Sequence, residues 1–241
     1  MIIVMICVCV TSTTRCQRQT KSNDAFSNST LAPLADAVAR GDVAEIKRQL
    51  VHLDPDTPGQ DGATLLLVAI GAESLPATRA LLEGGADPNR PGGGGETPVH
   101  AAAFVADPAL LQSVLADGGD PNVRNPITNG TPLSRALLGP HLDNVRILLD
   151  VGANPNLGDN NHDAPLHMAA RTNSGQAIMM LLEAGAAPTA TNSRGASFQA
   201  YYFSYPPRNV LSQRALDERR QIVEWLQTHH VALEANVAAD Y

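Results

Sequence analysis

Apolar residues fall along most of the chain in short bursts at helical spacing, separated by turns rich in Gly, Asn and Pro. Val145, Ile147, Leu148 and Leu149 form one burst, and Ile178, Met179, Leu181 and Leu182 another. Each predicts a helix with one apolar face. Ahead of each stands a shorter alanine-rich stretch, as in Val99-His-Ala-Ala-Ala103 and Leu166-His-Met-Ala-Ala170. Thr97 and Thr131 can cap free N–H groups at the start of that stretch, and Pro98 and Pro132 are tolerated in its first turn. Gly85, Gly118, Gly152 and Gly185 stand where the second helix should stop on a left-handed residue. The predicted element is a helix–turn–helix unit followed by a polar turn.

The unit repeats. Its opening tetrapeptides are Leu31-Ala-Pro-Leu34, Ala63-Thr-Leu-Leu66, Glu96-Thr-Pro-Val99, Gly130-Thr-Pro-Leu133, Asp163-Ala-Pro-Leu166 and Gly195-Ala-Ser-Phe198. Their third positions are 32, 33, 34, 33 and 32 residues apart. A closing series, Leu53-Asp-Pro-Asp56, Ala86-Asp-Pro-Asn89, Gly119-Asp-Pro-Asn122, Ala153-Asn-Pro-Asn156 and Ala186-Ala-Pro-Thr189, spaces its prolines by 33, 33, 34 and 33. Two independent markers holding one period define a repeat protein.

Thr97-Pro-Val-His-Ala-Ala102 and Ala164-Pro-Leu-His-Met-Ala169, with Leu81–Asn89 and Leu148–Asn156, resemble the ankyrin-repeat family. The resemblance runs from about Leu31 to Val237 and implies an all-α, ankyrin-type solenoid of about six repeats with short hairpin turns. The expected repeats are 31–62, 63–95, 96–129, 130–162, 163–194 and 195–237. Residues 22–30 read as a polar linker and 238–241 as a tail. Ala35 and Ser134 replace the family's histidine in repeats one and four. Repeat six substitutes Tyr201 and Tyr202 for paired small residues and inserts Ser204–Asn209 before a second helix near Arg214–His229. A distorted C-terminal cap is expected, because terminal units stack on one side only.

Composition narrows the function classes. The net charge of −7 argues against sequence-independent nucleic-acid binding, which needs a cationic footprint. No apolar stretch reaches 18 residues. All three cysteines, Cys7, Cys9 and Cys16, lie in the first sixteen residues, so the repeats hold no cysteine nucleophile or thiolate metal site. The apolar run from Ile2 to Val10 suits the core of a secretory signal, although Arg15, Arg18 and Lys21 follow it instead of preceding it. Residues 1–21 are therefore read as an export or lipoprotein-type segment with Cys16 as a candidate lipidation site. The cell envelope or periplasm of a bacterium is the expected location if that holds, and the cytoplasm otherwise.

Candidate chemistry resolves into scaffold. His100 and His167 occupy the family's histidine position and are expected to tie adjacent turns together. His229 and His230, with Glu224 and Glu234, lack metal-ligand spacing. Pro91–Gly95 lacks the Lys and Ser/Thr of a phosphate loop. Asp159–Asp163 falls in an inter-repeat turn, where Asp and Asn are ordinary. No serine sits in a nucleophile elbow. The expectation is a non-enzymatic scaffold without cofactor or metal.

Recognition is then expected on the concave face and the finger turns, at positions that depart from consensus: Arg90, Arg124, Asn125, Ile127, Asp159, Asn160, His162 and Arg194. Tyr201, Tyr202 and Tyr205 join them, because tyrosine favours interfaces. The expected partner is another protein, bound by a monomer, with no nucleic acid and with membrane contact only through the N-terminal segment. An exported or tethered inhibitor of a toxic bacterial effector is a sharper alternative by analogy, and an enzyme with an unrecognised site is a third.

Overall fold

The repeats fold as paired helices. A computed structural model describes residues 25–27 and 29–240, so the reading of residues 1–21, Cys16 included, lies outside the described residues. Among the described residues the regular structure is helical, apart from one isolated antiparallel bridge between Thr191 and Ser197. The chain divides into two compact units at Ala86.

In the first unit, α1 (Ala32–Arg40) and α2 (Val43–Leu50) pair, as do α3 (Leu65–Gly71) and α4 (Leu75–Glu83). Helix α1 packs on α3, and α2 on α4, which buries Leu34, Val38, Ile46, Leu65, Ile70 and Leu81 completely. Asp42, Thr64 and Ser74 each accept an N–H from three residues on, satisfying groups that a helix start leaves free. Phe26 is fully buried, and a Cβ added at Gly59 would lie 2.7 Å from its ring. The segment read as a linker is therefore packed at Phe26, which lies against Gly59, and Leu31 just after it is buried as well, which the polar residues around them conceal in the sequence.

The second unit holds α5 (Pro98–Phe104), α6 (Pro108–Ala116), α7 (Pro132–Ala136), α8 (Leu142–Asp150), α9 (Pro165–Arg171), α10 (Gly175–Glu183), α11 (Phe198–Tyr202), α12 (Gln213–Thr228) and α13 (Ala235–Ala238). The first helices of the pairs pack side by side in the order α5, α7, α9, α11, and the second helices in the order α6, α8, α10, α12. Ala102, Ala103, Ala169 and Ala170 are buried between inner helices, where larger side chains would hold them apart.

Two kinds of side-chain bridge join successive repeats here. His100 Nδ1 accepts from the Thr97 hydroxyl at 2.8 Å, which leaves Nε2 to donate to the Gly130 carbonyl at 3.1 Å. His167 does the same between the Ala164 N–H and the Ala196 carbonyl, each at 3.1 Å. Ser134 is too short for this span and bonds the Thr131 hydroxyl at 3.2 Å instead. The second bridge is an asparagine ladder. Asn89 donates to the Gly118 carbonyl at 2.9 Å and accepts from the Asp120 N–H at 2.7 Å. Asn122 serves Gly152 and Asn154 in the same way, and Asn156 serves Gly185 and Ala187. Thr189 stands in the next equivalent place, and the ladder stops there.

Register in the last repeat differs from the sequence expectation by one residue. His100 and His167 bond the carbonyl just before the next helix cap, so Ser197 corresponds to Thr97 and Thr131 and not to the prolines after them. The small pair is thus replaced by Tyr202 and Phe203, not by Tyr201 and Tyr202. Both rings are buried and meet edge-on, and beside them lies the guanidinium of Arg219, 1% exposed, which donates to the Tyr202 carbonyl at 2.6 Å and the Pro206 carbonyl at 2.9 Å. Beyond α12 the chain returns to α11. Gln199 bonds Ala232 and Glu234, the Ser197 hydroxyl donates to the Glu234 carboxylate, and Val237 is fully buried.

Candidate partner-binding face

The finger residues divide by what they already hold. Asn125 is 3% exposed: its oxygen accepts from the N–H groups of Ile127 and Thr128, and its amide donates to the Gly94 carbonyl at 3.1 Å. Asp159 closes the next turn by accepting from the N–H groups of Asn161 and Asp163. Arg124 donates from Nη1 to both the Asn129 and Gly158 carbonyls at 2.6 Å, and Asn160 donates to the Ile127 carbonyl at 2.8 Å. These side chains knit neighbouring fingers together. Asn125 and Tyr202, both expected at the partner surface, are buried because backbone groups and the last-repeat core claim them.

Arg90, Ile127, His162 and Arg194 are exposed, Ile127 to 63%. His162 has φ +59°, whereas the equivalent positions in two other turns are Gly95 and Gly195. A non-glycine residue there carries backbone strain that the turn does not require.

A second row emerges on the inner helices, which the sequence reading missed. Seven residues beyond their helix caps, Phe104 and Leu138 are 38% and 48% exposed, and Arg171 takes the same place in the following repeat. Four residues beyond the caps stand Ala101, Arg135, Met168 and Tyr201, all half-buried. Tyr205, one position further round, is 76% exposed on the inserted loop. The Arg135 guanidinium lies 4.1 Å above the Phe104 ring and contacts Glu96 at 3.3 Å. Arg171 pairs with Asp163 at 3.1 Å, whose other oxygen accepts from Asn192. Tyr201 accepts from Asn192 at 2.9 Å and meets the His167 ring edge-on. Aligning the repeats and asking which columns carry large apolar or arginine side chains would have found this row.

Burial lowers the pKa of His100, outweighing the opposite effects of its bond to the Gly130 carbonyl and of Glu96. It therefore stays neutral in its bridge. His229 stacks on Trp225 at 3.8 Å and bonds its carbonyl, while Glu234 is held by Ser197. Among the described residues, no group of three or more His, Cys, Asp and Glu is arranged to hold a metal ion. A cleft of about 430 Å³ opens beside the starts of α8, α10 and α12, lined by Pro140, Leu142, Thr172, Gln176 and the Arg214–Glu218 ion pair. Among the described residues no helix is long and apolar enough to cross a membrane.

Comparison with known proteins agrees with this architecture. The family described as ankyrin repeats (3 copies) matches residues 103–192. Protein PhlB of Serratia liquefaciens is 34% identical over 140 residues, 58% of this chain and 62% of its own length. Protein fem-1 homolog A of Homo sapiens is 33% identical over 93 residues, 34% of this chain and 14% of its own length. The chain thus spans less than two thirds of each relative. The crystal structure of the ankyrin repeat domain of Bcl-3, a member of the IkappaB family, superposes with a TM-score of 0.67 at 24% identity, covering 80% of this chain and 85% of that one. Ankyrin repeats generally mediate protein–protein interaction and typically form non-enzymatic scaffolds. With its doubled period, its paired helices and these likenesses, the chain has the fold of an ankyrin-repeat domain, and its residues 103–192 match the ankyrin-repeat family.

Proposed function

We propose that this chain is a non-enzymatic scaffold that holds a segment of another protein along the inner-helix face of residues 87–240. The observation that carries this reading is the row of Phe104, Leu138 and Tyr205, large apolar side chains exposed at neighbouring places in the third, fourth and sixth repeats, with Arg171 between them in the fifth, where the stack does not need them. Ile127, His162 and Arg194 at the finger tips extend the contact, and Arg90 lies beside it. Tyr201 and Arg124 support the face from beneath, and Asn125, Asp159 and Asn160 keep the fingers in order. The test is site-specific photocrosslinking in the native host. A photoreactive residue at Leu138 should capture a defined protein, and one at Arg146 on the outer helix α8 should not. Equal capture from both positions would refute the assignment.

The N-terminal apolar run supports an export or anchoring role for the same scaffold, and a partner in the envelope or periplasm goes with that role. Cell fractionation tests this: intact protein in the cytosol with Met1 retained would defeat it. If Cys16 carries a lipid, Cys16→Ser releases the protein from the membrane without changing its thermal midpoint. Sedimentation of the purified chain should show a monomer.

A further inference from the structure

Along residues 87–194 of the second unit the charges are sorted by face, whereas α12 carries both signs. The outer helices α6, α8 and α10, with their flanking turns, carry Asp107, Asp117, Asp120, Asp143, Asp150 and Glu183 against the single cation Arg146. The inner helices and fingers carry Arg90, Arg124, Arg135, Arg171 and Arg194. The acidic groups on that side are already engaged: Glu96 by Arg135, Asp163 by Arg171 and Asn192, and Asp159 by two backbone N–H groups. Arg171 is 54% exposed in its side chain, and a guanidinium has five N–H groups to offer. Arg135 is held over the Phe104 ring, 4.1 Å from its centroid, with Leu138 three residues on. A planar fork locked by stacking suits a carboxylate better than a flexible ammonium does.

We infer that the segment bound on the inner face is acidic, with Asp or Glu side chains alternating with aliphatic or aromatic ones. This inference rests on the proposed scaffold function and adds the chemistry of its partner. Carboxylates meet Arg135 and Arg171, and apolar side chains cover Phe104, Leu138 and Met168. Four inner helices at about 8–10 Å spacing span about 30 Å, which an extended segment of roughly ten residues crosses. The acidic outer helices repel the same segment, so the charge pattern selects the face as well as the ligand. Apolar side chains interleaved with the arginines favour a peptide over a nucleic acid, whose phosphates would leave Phe104 and Leu138 uncovered.

The experiment pans a phage-displayed library of random peptides, about ten residues long to match that span, against the full chain. Synthetic versions of the enriched peptides are then titrated by fluorescence anisotropy. Enriched sequences should be rich in Asp and Glu beside Leu, Phe or Tyr. Their affinity should fall about tenfold when Arg135→Gln and Arg171→Gln are combined, and comparably when the peptide's Glu residues become Gln. Salt raised from about 0.05 M to 0.5 M should weaken the parent complex, a readout that needs no variant. Neutral or basic enriched peptides whose binding is lost on Leu138→Asp would overturn the acidic ligand but keep the face. Peptides bound equally by Leu138→Asp would overturn the face itself. Failure to enrich any peptide, or tighter binding of a labelled single-stranded oligonucleotide than of every peptide, would also overturn the inference.

Discussion

Replacing Asn122 by alanine takes away both halves of one rung of the asparagine ladder. The amide bond to the Gly152 carbonyl, 3.2 Å, and the bond from the Asn154 N–H, 2.7 Å, are lost together. Both backbone partners lie near the surface, so water takes them over and the full penalty of an orphaned buried group does not apply. A net loss of about 0.5–1 kcal/mol per hydrogen bond then gives about 1–2 kcal/mol for the pair. For a chain of this size that corresponds to a fall of roughly 3–6 °C in the thermal midpoint, followed by circular dichroism. Hydrogen exchange gives a local readout, since the Asn154 amide should lose protection more than amides within α8 do. Thr189→Ala is the matched control, because Thr189 occupies the same place in its repeat without a rung and should shift stability by less than about 0.5 kcal/mol. Equal midpoints for Asn122→Ala and Thr189→Ala, with Asn154 exchange unchanged, would show that the rungs add nothing to cohesion between repeats.

Gly152 has φ +90° with open space around an added Cβ, so Gly152→Val should cost about 1–2 kcal/mol from backbone strain alone, whereas Gly71→Ala at the end of α3 should gain about 0.5–1 kcal/mol; paired thermal melts decide both. His162→Gly relieves a left-handed non-glycine residue and should raise stability by about 0.5–1 kcal/mol while weakening partner binding, and a lowered midpoint would refute the strain argument. His100 has a folded pKa below its unfolded value of about 6.5, so the unfolded chain takes up the proton first as pH falls. Stability should be full above about pH 6.5 and decline below it, and His100→Gln should flatten the thermal midpoint measured between pH 7 and 5. Parallel curves for parent and variant would show that His100 does not titrate differently on folding.

The repeat fold was legible because its markers are local. A Thr that caps a helix, a Gly that stops one and a Pro that tolerates the first turn act within four residues of themselves, and they recur every 33. The structural roles of Asn125 and Arg124 were hidden for the opposite reason. Asn125 and Arg124 bond carbonyls 31 and 34 residues away, so a polar residue in a turn looks free until the neighbouring finger is in place. The last repeat slipped by one residue because its proline is absent and two aromatic side chains stand where small ones are usual. The His167 bond to the Ala196 carbonyl and the Ser197 cap fix its register. Phe104 and Leu138 look like ordinary helix residues in sequence, and stacking decides that they face outward.

Each asparagine rung joins one repeat to the next and to nothing further, which makes the interior of the second unit a set of interchangeable parts. A copied period carrying its own Asn and its own receiving glycine brings both halves of the joint, so duplication inside this stretch lengthens the protein without redesigning a contact. The fifth repeat cannot be copied so simply. Its Thr189 offers no rung, and the junction after it is left to the His167 bond to the Ala196 carbonyl and to the Asn192 bond to Tyr201, an aromatic residue at a position where the other inner helices carry none. Growth of such a chain is therefore open in the middle and closed at its C-terminal end, where the junction works as a stop rather than as another link.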